Sequence, residues 1–175
     1  MKETDAAYLA GLIDGDSTIS VKCEGEAKGN KYSPYVSIAN TNREVLEWCK
    51  DLIGVGAIST KKTTKKNHEE SYAVTWVYDR ALYVAEQCLP YLKIKKTRAE
   101  LVLQWKDCTP RNGYYTEEMK DKKEKLILKI KILNARGRWS NRKKLYETQL
   151  ASLKPIKVMA QKKKVLNKNI FCTII

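Results

Sequence analysis

The run Tyr8-Leu9-Ala10-Gly11-Leu12-Ile13-Asp14-Gly15-Asp16-Ser17 is apolar and helix-like, and it ends in two carboxylates on either side of a glycine. Ala7, Gly11 and Gly15 recur every four residues, so on a helix they share one stripe where a second backbone can approach closely. The chain holds no second copy of this run. A stripe built for a helical partner and present once predicts a homodimer, two chains pairing about a two-fold axis through Ala7, Gly11 and Gly15. Asp14 and Asp16 fall at the C-terminal end of the helix, where the dipole disfavours negative charge and calls for a compensating cation. Hard carboxylate oxygens suit magnesium or calcium, and the glycine between them exposes a carbonyl as a further ligand. Asp14, Asp16 and the Gly15 carbonyl are therefore the candidate metal ligands.

Hydropathy periodicity orders the elements around that helix. The helix is expected from about Asp5, with Thr4 or Asp5 as N-cap, to about Ile13. Thr18 to Glu24 alternates strictly, with Ile19, Val21 and Cys23 on one face and Thr18, Ser20, Lys22 and Glu24 on the other. A turn over 25–30 leads to a returning strand, Tyr32 to Asn40, whose Val36 and Ile38 face the core while Tyr35 and Ser37 share the polar face. Glu44 to Ile53 reads as a helix stopped by Gly54. A second hairpin follows, Ala57–Lys62 and Tyr72–Tyr78, joined by the lysine-rich loop 63–71; apolar residues on both faces of its second strand leave the register open. A helix near Arg80–Leu89 ends at Pro90. The order helix, hairpin, helix, hairpin, helix predicts an α+β fold, a four-stranded antiparallel sheet with helices on one face. Beyond it, Ala99–Lys106 and Lys120–Leu133 read as further helices, the second burying Leu126, Ile127, Ile130 and Leu133, with a turn at Pro110-Arg111-Asn112-Gly113 between them.

Charge separates the two halves of the chain. Of the net +14, residues 1–90 carry −2 and residues 91–175 carry +16. Residues 136–175 hold 11 Lys and Arg against the single acid Glu147, so a core domain over 1–135 with a basic C-terminal extension over 136–175 is expected. A polyanionic partner follows, and nucleic acid fits better than a membrane because no apolar run reaches the roughly 18 residues of a spanning helix. The N-terminal residues resemble no secretory signal. Five cysteines without a C-x-x-C pair read as reduced, mostly buried thiols of an intracellular protein. His68, the one histidine, lies in the polar loop Lys65–Glu70, so neither a zinc site nor a Ser-His-Asp hydrolase is expected. The exposed sheet face is suited to a DNA major groove, with Thr18, Ser20, Lys22, Glu24, Tyr35, Ser37, Ser59 and Lys61 as candidate base contacts and the loop lysines 61–66, Lys62 among them, on phosphates.

The first run resembles the signature of the LAGLIDADG homing endonucleases: Leu9-Ala10-Gly11-Leu12-Ile13-Asp14-Gly15-Asp16 matches closely, and Ser17 replaces the customary final glycine. Leu89-Pro90-Tyr91-Leu92-Lys93-Ile94-Lys95-Lys96 is similar to the segment that follows the second hairpin in single-motif members, where the second lysine of Lys-x-Lys lies at the active site. The resemblance spans about residues 5–105. It implies an αββαββα fold, a DNA-binding sheet saddle, and site-specific double-strand cleavage at a long pseudo-palindromic site for an intron-encoded enzyme. Magnesium is the implied cofactor, with calcium or manganese able to substitute. Lys95 is the implied active-site cation, with Lys93 and Lys96 as alternatives. A polar residue near the nucleophilic water is implied at Asn40, with Asn42 second. Asp14 is implied to cap the helix or shape the interface, which leaves Asp16 and the Gly15 carbonyl as the implied metal ligands.

Two functions of different class fit these residues. The first is a magnesium-dependent homodimeric endonuclease acting on double-stranded DNA, with Asp16, Lys95 and Asn40 at the reaction. The second is a non-catalytic binder, an intron maturase or DNA-binding regulator, for which the basic extension supplies RNA or DNA contact. A carboxylate aimed at phosphate gives a pure binder no benefit, so Asp16 favours the enzyme.

Overall fold

A computed structural model describes residues 1–25, 31–61, 69–110, 113–135 and 140–153. Helix α1 (Glu3–Asp16) leads into strands β1 (Ser17–Cys23) and β2 (Tyr32–Asn40), then helix α2 (Arg43–Ile53), strands β3 (Ala57–Lys61) and β4 (Ser71–Val77), and helix α3 (Tyr78–Cys88). This is the expected αββαββα order. Beyond it come α4 (Lys96–Leu103), a 3-10 turn over Gln104–Cys108, α5 (Glu117–Asn134) and α6 (Ser140–Ser152). None of the described helices is long and apolar enough to cross a membrane.

The strands form one antiparallel sheet in the order β1-β2-β4-β3. Register settles which face each side chain takes. Ile19 lies opposite Val36, which lies opposite Trp76, and Ile38 pairs with Val74, so one face is a continuous apolar layer under the helices. Thr18 and Ser37, Ser37 and Thr75, and Ser59 and Ala73 pair on the other face. The open register of β4 is thus decided by Val74 and Trp76, which the core takes. Leu9, Ala10 and Ile13 of α1, Leu46 and Cys49 of α2, and Leu82, Val84 and Ala85 of α3 complete the core.

The chain's local chemistry explains most element ends. Asn42 caps α2 by accepting the Val45 N–H, and Gly54 ends that helix in the left-handed region at φ 78°. Thr116 caps α5 through the Met119 N–H. Several boundaries differ from the sequence expectation. Helix α1 starts at Glu3 after an N-cap Lys2 that makes no side-chain cap bond, and it runs through both aspartates to Asp16. Residue Tyr78, expected in the strand, opens α3 at φ 50°, where its hydroxyl donates to Glu24 Oε1 at 2.7 Å. Helix α4 begins at Lys96 and ends in the 3-10 turn, so Lys106 lies beyond it. Cys49, Cys88 and Cys108 are buried as expected, but Cys23 is exposed at the end of the β1 edge strand. Burial pushes the Cys49 and Cys88 thiols up to about 11 and about 12, which keeps them protonated and unreactive. His68 and Cys172 lie outside the described residues.

Gly56, between α2 and β3, has φ 152°, and a Cβ there would stand 3.0 Å from Trp76 Nε1 and 3.1 Å from Val74 Cγ2. That indole N–H donates to Val55 O at 2.7 Å. Gly56→Ala is expected to strain the turn and displace Trp76, lowering stability by about 1–3 kcal/mol in chemical denaturation.

Candidate active site and nucleic-acid face

Lys95 answers the electrostatic problem at the end of α1. Its ammonium donates to the carbonyls of Ile13 at 2.6 Å, Asp14 at 3.0 Å and Gly15 at 3.2 Å, and the residue is only 8% exposed. Three protons meet three orphan carbonyls at the negative end of the helix dipole. The contact is reciprocal. The Asp14 carboxylate accepts the backbone N–H groups of Lys93 at 2.7 Å, Ile94 at 3.1 Å and Lys95 at 2.9 Å, at the N-terminus of α4. Asp14 therefore ties the 93–95 segment to α1. Desolvation acts upward on the Asp14 carboxyl, but the three backbone donors and the Lys95 charge outweigh it and hold it below its ordinary value.

The clasp leaves Asp16 pointing elsewhere. Asp16 is exposed in the last turn of α1, and it shares with Gly15, Ser17, Ala39, Asn40 and Thr41 a depression of about 430 Å³. Asn40 Oδ1 accepts the Asn42 N–H at 2.9 Å, which fixes the amide of a residue that lines that space. Asn42 itself is used as the α2 cap. Asp16, Gly15 and Asn40 thus meet in one depression, which Lys95 does not line, although its ammonium donates to the same Gly15 carbonyl. A carboxylate and a main-chain carbonyl are hard oxygen donors that suit magnesium or calcium. Among the described residues, no group of three or more His, Cys, Asp or Glu side chains could hold a metal alone. The donor set fits an ion completed by water and phosphate oxygens, the usual coordination of magnesium at phosphate sites.

The sheet face opposite the helices carries most of the expected contact residues. Thr18, Lys22 and Lys61 are exposed; Tyr35 and Ser37 are partly so, and Ser59 is exposed beside Ala73. Ser37 shares a 2.9 Å hydrogen bond with Thr75, a face residue not anticipated because the β4 register was undecided. One expectation on this face is corrected. Ser20 is only 8% exposed, because Asn134 at the end of α5 donates to its Oγ at 3.0 Å and to Ile19 O at 3.3 Å, which covers it. Glu24 is held by Tyr78 at the end of the hairpin. Lys62 and the loop that follows it lie outside the described residues. On the opposite side, Ala7, Gly11 and Gly15 are exposed along α1, and a Cβ built at either glycine would meet nothing within 4 Å. Tyr8, 53% exposed, borders the stripe and packs edge-on against Trp48 of α2.

The model of the LAGLIDADG-like domain matches residues 3–89. Among solved structures, the chain is similar to the homing endonuclease I-CvuI in complex with its target, with a TM-score of 0.64 and 19% identity over 85% of this chain and 96% of that one. It is similar to the archaeal intron-encoded homing endonuclease I-Vdi141I complexed with DNA, with a TM-score of 0.61 and 18% identity over 85% and 98% of the two chains. Against the LAGLIDADG meganuclease I-CpaMI bound to uncleaved DNA the TM-score is 0.56 at 17% identity, and 86% of this chain covers 51% of that one. No curated protein matches the sequence. The fold is that of the LAGLIDADG homing endonucleases.

Asp14→Asn is expected to lower stability by about 1–3 kcal/mol, because an amide cannot accept three backbone donors as a carboxylate does. A carboxyl whose folded value is depressed stabilises fully above its unfolded value of about 3.9 and loses that contribution as pH falls through the folded value. Thermal melts below about pH 4 should therefore show a shallower acid dependence in Asp14→Asn than in the wild type.

Proposed function

Since residues 3–89 are a LAGLIDADG-like domain and place this chain among the LAGLIDADG proteins, we propose that it is a homodimeric endonuclease that hydrolyses both strands of duplex DNA at a long pseudo-palindromic site. The observation that carries this reading is the exposed Asp16 carboxylate at the tip of α1, beside the Gly15 carbonyl and the Asn40 amide. A regulator or maturase needs no such group aimed at a phosphate. I-CvuI complexes in the presence of calcium or of magnesium are in keeping with a divalent ion here.

When bound, a magnesium ion supplies charge neutralisation at the scissile phosphate and activation of water. Asp16 and the Gly15 carbonyl are the groups that would hold it. Asn40 Nδ2 donates to water or to a phosphate oxygen in the same depression. Lys95, with its donors committed to the end of α1, acts through its fixed charge beside Gly15, which favours the negative charge that develops on the phosphate. Thr18, Lys22, Tyr35, Ser37, Ser59, Lys61 and Thr75 present donors and acceptors on one sheet face to base edges and phosphates. The stripe Ala7, Gly11, Gly15 pairs with its copy, so that two Asp16 tips lie beside the two-fold axis and address the two strands. The coverage of I-CpaMI fits this reading, since one copy of this chain spans about half of that protein.

Asp16→Asn is expected to keep folding and duplex binding and to lose magnesium-dependent cleavage by at least about a hundredfold, measured on a randomised duplex library with end mapping. Full activity in that variant refutes the metal role. Gly11→Leu adds bulk where the single chain has open space, so the protomer should still fold cooperatively, its melting temperature lowered only by what the dimer contributed. Sedimentation should then show a monomer that no longer cleaves; an unchanged dimer places the interface elsewhere.

A further inference from the structure

A second cavity, about 320 Å³, shares Gly15 and Ser17 with the Asp16 depression but not Asp16 or Asn40. It is lined by Thr18, Ser20 and Tyr35 from the polar face of β1 and β2 together with Lys95, Arg98 and Asn134. Among the described residues, no carboxylate lines it. Two cations, four hydroxyls and an amide around one small space make a pocket for an oxyanion. Its parts are fixed in place. Arg98 Nη2 donates to Leu133 O in the last turn of α5 at 3.0 Å, which anchors the guanidinium at the negative end of that helix. Asn134 is held by its bonds to Ile19 and Ser20. Burial raises the Tyr35 hydroxyl's pKa against the opposing effect of Ser20, so it stays a proton donor.

We propose that this pocket is a second phosphodiester subsite, in which the Arg98 guanidinium and the Tyr35 and Thr18 hydroxyls hold a backbone phosphate neighbouring the one that Asp16 addresses. The assignment rests on the nuclease reading, because the same strand must cross Gly15 to reach both depressions. It also divides the labour of the two cations. The three ammonium bonds of Lys95 go to the end of α1, so Lys95 acts as a charge and a positioning residue, whereas Arg98 contacts the strand. Arginine suits that contact, since one permanent charge is shared by several N–H donors, so the guanidinium can address a phosphate while Nη2 keeps the α5 anchor.

The test measures binding of full-length protein to a random-sequence duplex across a salt series, with calcium in place of magnesium. Arg98→Gln should lower the slope of log affinity against log salt by about 0.9 for each lost phosphate contact, so by roughly one per protomer. Arg98→Lys should restore the charge and hence the slope. Tyr35→Phe leaves the α5 anchor intact and should weaken binding roughly three- to tenfold. A thermal melt of each variant separates lost contact from lost folding. If the wild type binds and both Arg98→Gln and Tyr35→Phe match it in slope and affinity, the subsite is overturned and the nuclease reading stands. If the wild type binds no duplex, both fall. Should inorganic phosphate stabilise the wild type but not Arg98→Gln while the duplex slope is unchanged, the pocket takes a free anion and the proposal is overturned.

Discussion

The exchange between Asp14 and Lys95 is the constraint on which the rest of the molecule depends. Each supplies what the other's backbone lacks: the ammonium fills three carbonyls at the end of α1, and the carboxylate fills three N–H groups at the start of α4. Neither helix end could be buried without such partners, since unsatisfied backbone groups in the interior cost about as much as a lost hydrogen bond. The two residues are 81 positions apart, so closing this contact also closes the chain around both hairpins. It frees Asp16 from any capping duty, and the next carboxylate along the helix is left exposed.

Because α1 runs directly into β1, the same helix fixes both the interface stripe and the sheet. Leu9, Ala10 and Ile13 bury one side of α1 in the core, and the small residues at 7, 11 and 15 face away from it. Rotation of this helix is set by the core. The open stripe, the Asp16 tip and the first strand therefore share one rigid frame, and the polar sheet face stands in a defined relation to the acidic tip. Tyr78 does a comparable service at the far end, where its hydroxyl links α3 to Glu24 at the end of β1.

Much of this was legible in the amino-acid order. Strict alternation in β1 and β2 assigned Thr18, Lys22, Tyr35 and Ser37 to one face, and the small-residue spacing identified the exposed side of α1. The negative end of α1 called for a cation, and resemblance to a known family singled out Lys95 beforehand. Alternation could not settle β4, where Tyr72, Ala73, Val74, Thr75, Trp76 and Val77 satisfy either register; pairing of Val74 with Ile38 and Trp76 with Val36 settles it. Ser20 departs from its period-two expectation for a related reason. Period two places it on the polar face, but the end of α5, more than a hundred residues later, covers it there.

Local pattern by itself determined the order of elements, the faces of the first hairpin, the uneven charge and the two carboxylates at a helix end, because these depend on spacing along a few turns or strands. Only tertiary structure decided the division between Asp14, spent on the 93–95 segment, and Asp16, left free, although the two are chemically alike and two residues apart. It alone gathered Arg98, Asn134 and Tyr35 around one carboxylate-free pocket. The physical reason is common to both: hydrogen bonds and oxyanion pockets depend on distances through space, and no periodicity encodes which distant backbone groups will come to need a partner.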